Sequence, residues 1–280
     1  MIQVAQSNDK RYFMKVKSDH LNGRKYVESL ARSGQYLFSS ADARKALGVS
    51  APATRVALNR LAQQGLIASP ARGFYVVVPP EYHSLGCLPA DQFIPELMDR
   101  LGLRYYAGLL TAAQYHGAAH QRPQEFQVCL EHTRRSLGCS RVRVAFIARK
   151  RLLNVPVQNV NTPRGTLLIS TPEATALDLV GYQHRVGGLN QIATVLAELS
   201  ERLDADKQVA VAATAPAAWS QRLGFVLERV GAADKAAPLK AWVRSHAQDF
   251  AVFQPEAPRD SAARDAAWKL WVNAAVETDL

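Results

Sequence analysis

Immediately after Phe38 and as far as Val78 the chain reads SSADARKALGVSAPATRVALNRLAQQGLIASPARGFYVVV, and no other stretch constrains the fold so tightly. Ser39 or Ser40 can cap a first helix whose opening turn holds Asp42, an acid that the helix macrodipole favours there. Gly48, just past Leu47, supplies the positive φ that ends such a helix. Ser50 restarts the chain as an N-cap, and Pro52 near the helix start removes no intrahelical donor. Thr54, Ala57, Leu58 and Leu61 recur at helical spacing and should face the preceding helices, which leaves Arg55, Asn59 and Ala62 on an outward face. Gly65 closes this second helix, Leu66 and Ile67 begin a strand, Pro70 to Gly73 makes a hairpin tip, and Phe74 to Val78 returns. Two short helices across a tight turn, followed by a glycine-marked β-hairpin, spell a winged helix-turn-helix. That device places its second helix in the major groove of DNA.

Charge supports a nucleic-acid partner. The net charge of +10 is unevenly spread, and residues 1–78 hold twelve Lys or Arg against four Asp or Glu. A surface facing phosphates needs that excess, because counterion release supplies most of the affinity that is independent of base sequence. A second basic block follows in residues 122–164, with nine basic and two acidic side chains, whereas residues 79–121 and 165–280 are mildly acidic. Within that block Arg134, Arg135, Arg141, Arg143, Arg149, Lys150 and Arg151 form a candidate second basic surface, for more DNA or for an acidic protein. The alternative for them is a solvated face on strands.

The rest of the chain is bounded by simpler signals. At 280 residues it can bury a full core and hold two or more domains. No apolar run approaches the roughly 18 residues that span a bilayer, the amino terminus lacks a signal-peptide core, and Cys87, Cys129 and Cys139 form no CxxC pair. These points lead to the expectation of a reduced cytoplasmic protein with no membrane contact. Pro79-Pro80 breaks the ladder after the hairpin and is read as the boundary between a domain at 1–80 and a larger one at 81–280. In the larger domain the pattern predicts helix over Pro89 to Leu101 and Gly108 to His116. Strands are predicted at Glu125 to Glu131, Arg141 to Ala148, Val155 to Asn161 and Gly165 to Ser170, in an antiparallel or mixed sheet. A strand-rich stretch 122–170 thus gives way to a helical stretch 171–280, capped by Ser170 or Thr171 with Glu173 completing a capping box. Further helices are predicted at 190–202, 207–213, 217–230, 237–246 and 262–276. The fold class is α+β: an N-terminal winged helix-turn-helix domain, then a larger mixed α/β domain with a mainly helical C-terminal part.

Three blocks beyond the hairpin, RYYAGLLTAAQYHGAAHQRP at 104–123, STPEATALDLVGYQHRVGG at 170–188 and SQRLGFVLERVG at 220–231, together with the winged helix, resemble the AbiEi-type antitoxins of type IV toxin–antitoxin systems. The resemblance implies a DNA-binding winged helix joined to a C-terminal antitoxicity domain. It also implies repression of the protein's own operon and action against a nucleotidyltransferase-fold toxin encoded beside it. It carries DNA contact onto the block Ser50 to Asn59 and onto Arg72-Gly73. With Lys45 and Arg60, the candidate DNA-contacting set is Lys45, Ser50, Pro52, Arg55, Asn59, Arg60, Arg72 and Gly73. Ala51 and Pro52 stand where many winged helices place polar base readers, which shifts the load to Arg55 and the wing.

Catalytic chemistry finds little support. His116 and His120 lie at i, i+4, a spacing that can put two imidazoles on one metal, but no third ligand stands nearby. A nucleotidyltransferase needs a Gly-Ser helix start followed by paired Asp residues for Mg²⁺, and Gly187-Gly188-Leu189-Asn190 offers no carboxylate. GxSxG, HExxH and Walker loops are absent. Asp178, inside an apolar stripe, is read as the partner of Arg185 or another cation. The sequence therefore points to a non-enzymatic repressor and antitoxin with no cofactor, acting on double-stranded operator DNA. The alternative is a DNA-targeting subunit of an unrecognised nucleic-acid-processing enzyme.

Overall fold

In a computed structural model, which describes residues 22–118, 123–260 and 262–276, the chain begins with α1 (Gly23–Arg32), β1 (Leu37–Ser39), α2 (Ser40–Leu47), α3 (Ala51–Gln63), β2 (Ile67–Ala71) and β3 (Phe74–Val77). Tyr26, Val27 and Leu30 of α1 close a small core with Phe38, Ala43, Leu47, Leu58, Leu61, Ile67 and Val77. The strands order β1-β3-β2, both pairings antiparallel. This is a winged helix-turn-helix with one further helix in front of it.

Strand β3 explains how this unit is held to the rest of the chain. Successive side chains of a strand point to opposite faces. Val77, with Tyr75 packed alongside, faces the helices of the winged unit. Phe74, Val76 and Val78 face the other way, into a second core with Cys87, Leu88, Phe93, Ile94, Met98, Val128, Val144 and Phe146. The winged unit and the following domain thus share a hydrophobic core across Pro79-Pro80. Polar contacts reinforce the junction. Arg164 stacks on the Tyr36 ring at 3.4 Å and donates from Nε to Gln92 Oε1 at 2.7 Å. Arg100 lies 5.4 Å over the Phe74 ring and 3.7 Å from the Asp42 carboxylate.

Beyond the junction come α4 (Ile94–Arg100), β4 (Tyr105–Ala107), α5 (Leu109–Tyr115), β5 (Phe126–Leu130), β6 (Leu137–Cys139), β7 (Val142–Ala148), β8 (Val157–Thr162) and β9 (Gly165–Ser170). The strands form one mixed sheet in the order β6-β7-β5-β4-β9-β8. Pairs β5–β7 and β4–β9 are parallel and the others antiparallel. Helices α6 (Pro172–Gly181), α7 (Leu189–Leu199), α8 (Ala205–Ala212), α9 (Ala217–Arg229) and α10 (Ala233–His246) cover it. A small sheet of β10 (Ala251–Val252), β11 (Ala263–Asp265) and β12 (Leu270–Val272) follows, in the order β10-β12-β11. Among the described residues no helix is long and apolar enough to cross a membrane.

Several local expectations are corrected. The helix expected at 262–276 is instead the β11–β12 hairpin, whose Trp268 is fully buried against α9. The contact is so close that a Cβ on Gly224 would fall 2.0 Å from the indole. The helix expected over 89–101 starts only at Ile94, with Pro95 in its first turn. Thr171, not Ser170, caps α6. Glu173 completes no capping box but accepts from the Asp204 N–H at 3.1 Å.

Asp178 pairs with Arg149 rather than with Arg185. Arg149 Nε donates to Oδ1 at 2.8 Å and the Tyr106 hydroxyl to Oδ2 at 2.6 Å, all three side chains being buried. The other guanidinium nitrogens donate to Lys150 O, Thr214 O and Thr214 Oγ1, and the Trp219 ring lies 4.8 Å away. Burial pushes the Asp178 carboxyl upward, and Arg149 together with the Tyr106 hydroxyl draws it back. This pair ties the end of β7 to α6 and to the turn before α9.

Candidate nucleic-acid interface

The interface is built from the two caps of the helix-turn-helix. The Ser39 hydroxyl accepts from Asp42 N at 3.1 Å while the Asp42 carboxylate accepts from Ser39 N at 2.7 Å, a reciprocal capping box that fixes where α2 begins. Gly48 at φ 64° ends α2, and Ser50 caps α3 through Ala53 N at 3.4 Å. Thr54, Leu58 and Leu61 then turn inward, and Arg55, Asn59 and Ala62 turn outward. The hairpin is short. Gly73, at φ 73°, completes a two-residue turn with Arg72, and its carbonyl accepts from Ser40 N at 3.1 Å, so the wing is pinned to the start of α2.

These elements enclose an open groove of about 590 Å³ between α2, α3 and the wing. Arg44, Arg55, Asn59, Arg72 and Tyr75 line it. Among the described residues no carboxylate pairs with Arg44, Arg55 or Arg72. Asp42 is the one acid between Glu28 and Glu81. It is already engaged, first by the Ser39 hydroxyl and backbone and then by Arg100, which together hold its carboxyl below the usual range. The groove is therefore an uncompensated cluster of three guanidinium groups with an amide beside it, a composition suited to phosphates and to the acceptor edge of guanine.

Of the sequence-derived candidates, Arg55, Asn59, Arg72 and Gly73 meet in this groove. Lys45 and Arg60 are exposed on the last turns of α2 and α3 without lining it. Ser50 serves as the α3 cap and Pro52 sits in its exposed first turn. Arg44 lines the groove and was not singled out from sequence. The signal for it is faint, since its position opposite the wing follows from how β3 packs and not from spacing along α2.

The second basic block does not form one patch. Arg149 leaves it altogether, being buried on Asp178, because a guanidinium inside a protein is retained only where a carboxylate and further acceptors meet it. Arg134, Arg135, Arg141, Arg143, Lys150 and Arg151 are exposed. However, Arg141 precedes β7 and Lys150 follows it, so its seven residues put roughly 20 Å between the two groups at the usual strand rise. Arg143 partly satisfies itself on Ser140 O at 2.5 Å. His116 is buried with Nε2 donating to Ser170 O at 2.8 Å, while His120 lies outside the described residues. Among the described residues no group of His, Cys, Asp and Glu is arranged to hold a metal ion.

Comparisons with known proteins place this geometry. None of the curated proteins matches the chain. A solved structure, described as the crystal structure of RV2827C protein from Mycobacterium tuberculosis, superposes with a TM-score of 0.64 at 17% identity, covering 89% of this chain and 90% of that one. At that identity the likeness concerns the fold alone. The family model for a transcriptional regulator, AbiEi antitoxin, matches residues 25–78, the whole helix-turn-helix and wing. The model for the AbiEi antitoxin C-terminal domain matches residues 106–229, from β4 to the end of α9. Both describe regulators and not enzymes, and between them they account for more than half of the chain. With its regulator domain and its antitoxin domain matched in the order that the fold presents them, this chain belongs to the AbiEi antitoxin family.

Proposed function

We propose that this protein represses transcription of its own operon and counteracts a nucleotidyltransferase-type toxin encoded beside it. The observation that carries the DNA half is the groove between α2, α3 and the wing, where Arg44, Arg55 and Arg72 converge with no carboxylate paired to them among the described residues. In this reading α3 enters the major groove with Arg55 and Asn59 toward base edges, Arg72 follows the backbone or the minor groove, and Lys45 and Arg60 meet flanking phosphates. The antitoxin half is assigned to residues 81–280, with DNA contact in residues 1–80. Its support is the family match downstream of the junction.

The test uses the whole chain. Arg55→Ala is expected to weaken binding to the protein's own promoter region by about 1–3 kcal/mol, and to change binding to a scrambled duplex far less at the same salt. Equal losses on both duplexes would make Arg55 a phosphate contact. In cells expressing the neighbouring toxin, the Arg55→Ala/Arg72→Ala variant is expected to lose repression yet still restore growth. Loss of both would show that the two tasks are not divided between the domains.

A further inference from the structure

The solvent side of α3 carries an apolar residue at its middle. Thr54, Leu58 and Leu61 are buried and fix the inward direction of the helix. At about 100° per residue, the opposite direction passes within about 15° of Val56 and Gln63, with Pro52 and Asn59 on the side toward the groove and Arg60 on the other. All five are exposed. Val56 is 50% exposed, more than any other large apolar side chain among the described residues except Leu153. Among those residues it belongs to none of the hydrophobic cores. A β-branched side chain is also a poorer helix former than alanine, so neither packing nor propensity accounts for a valine there. Helical neighbours lie three and four positions apart, which sets Val56 between Pro52 and Asn59. Asn59 in turn lines the groove with Arg44, Arg55 and Arg72.

In the major groove, arginine meets the polar edge of guanine and asparagine that of adenine, and the apolar group on offer is the C5-methyl of thymine. A half-exposed valine has no polar atom to replace the water it displaces. Opposite guanine, adenine or cytosine it therefore leaves donors and acceptors unsatisfied, whereas opposite a thymine methyl apolar surface is withdrawn from water on both sides. We propose, resting on the DNA contact assigned to α3 above, that Val56 is a specificity-determining residue. Its isopropyl group, with Pro52 one turn before it, packs on the methyl of a thymine next to the bases that Arg55 and Asn59 meet. A second copy of the chain is the poorer occupant for this face, because Arg55 and Arg60 flank the valine and would be set against their own like charges.

Binding of the full-length protein to its own promoter region tests the proposal, with thymines of the protected site replaced one at a time by deoxyuridine, which keeps the base pair and lacks the methyl. At least one replacement is expected to weaken binding about fourfold, the worth of one methyl withdrawn from water. Val56→Ala should lose a similar factor on the thymine duplex and then bind thymine and uracil duplexes alike, while Arg55→Ala should keep the preference for the methyl. Val56 is exposed and alanine is the better helix former, so the variant is expected to fold. Thymine and uracil bound equally by the unmodified chain would overturn the proposal, and so would a methyl preference that survives Val56→Ala. If Val56→Ala instead changes the sedimentation of the free protein and leaves the methyl preference intact, the face belongs to a second copy. Binding to the promoter region no tighter than to a scrambled duplex would overturn the DNA reading itself, whereas selective binding without methyl dependence would overturn only the part given to Val56.

Discussion

Arg72 sits on a two-residue turn with Gly73 at φ 73° beside it and lines the groove, with no carboxylate paired to it among the described residues. One phosphate contact made by such a side chain carries no base information, so Arg72→Ala should lower affinity for all duplexes alike and flatten the salt dependence by about one unit. Binding measured across a salt series reads that slope, and an unchanged slope removes the wing from the DNA. His116 offers a residue-scale test of stability. Burial is the largest influence on its ring and holds its pKa below the usual 6.5, against a hydrogen bond to Ser170. Because the folded value is depressed, the unfolded chain binds the proton more tightly. Stability is therefore full above about pH 6.5 and is lost as the pH falls below it. Urea midpoints between pH 7.5 and 5 should show that decline, and His116→Gln should flatten it.

At the scale of elements, the N-caps of α2 and α3 were legible because a helix start is decided within four residues, while the reciprocal bond from Asp42 that makes the α2 cap a capping box was added by the structure. Strands β4, β6 and β10 were not. They are two or three residues long and owe their existence to neighbours in the sheet, such as the pairing of Tyr106 with Cys129. The stretch 262–276 failed for a related reason. Its tryptophans satisfy helical spacing as well as a hairpin, and the choice is made by the slot that Gly224 leaves for Trp268. The Arg149–Asp178 pair belongs to this scale too, since it joins elements 29 residues apart. Asp178→Asn would strand a buried guanidinium and is expected to cost about 3–5 kcal/mol in urea unfolding. Replacing Arg149 by Met in the same chain should recover much of that loss. A cost below about 1 kcal/mol would show that water reaches the pair.

At the scale of the whole molecule, β3 is the shared wall between two cores, with Phe74, Val76 and Val78 on one side and Val77 on the other. Separating the units at Pro79-Pro80 would bare that wall to water, so the two are expected to unfold in one transition. Nature supplies the probes. All four tryptophans, at 219, 242, 268 and 271, report on the second domain, while DNA binding reports on the first. Tryptophan fluorescence and DNA binding should be lost at the same denaturant concentration. Phe93→Ala, in the shared core, should lower both midpoints together by a cost of about 3–5 kcal/mol. Two separated transitions would return the junction to the status of a linker.

The helix-turn-helix, its caps, the wing and the outward set of Arg55 and Asn59 were determined by the sequence alone, because capping, glycine φ angles and helical periodicity act over a few residues. The family blocks were equally visible. What covers each face of β3, which arginines stay in solvent, and which one goes inside to meet Asp178 were decided only by the tertiary structure. Charge along a chain says how many cations there are. Only packing sets the distance to a carboxylate and the access of water, and those two quantities separate the free Arg72 from the buried Arg149.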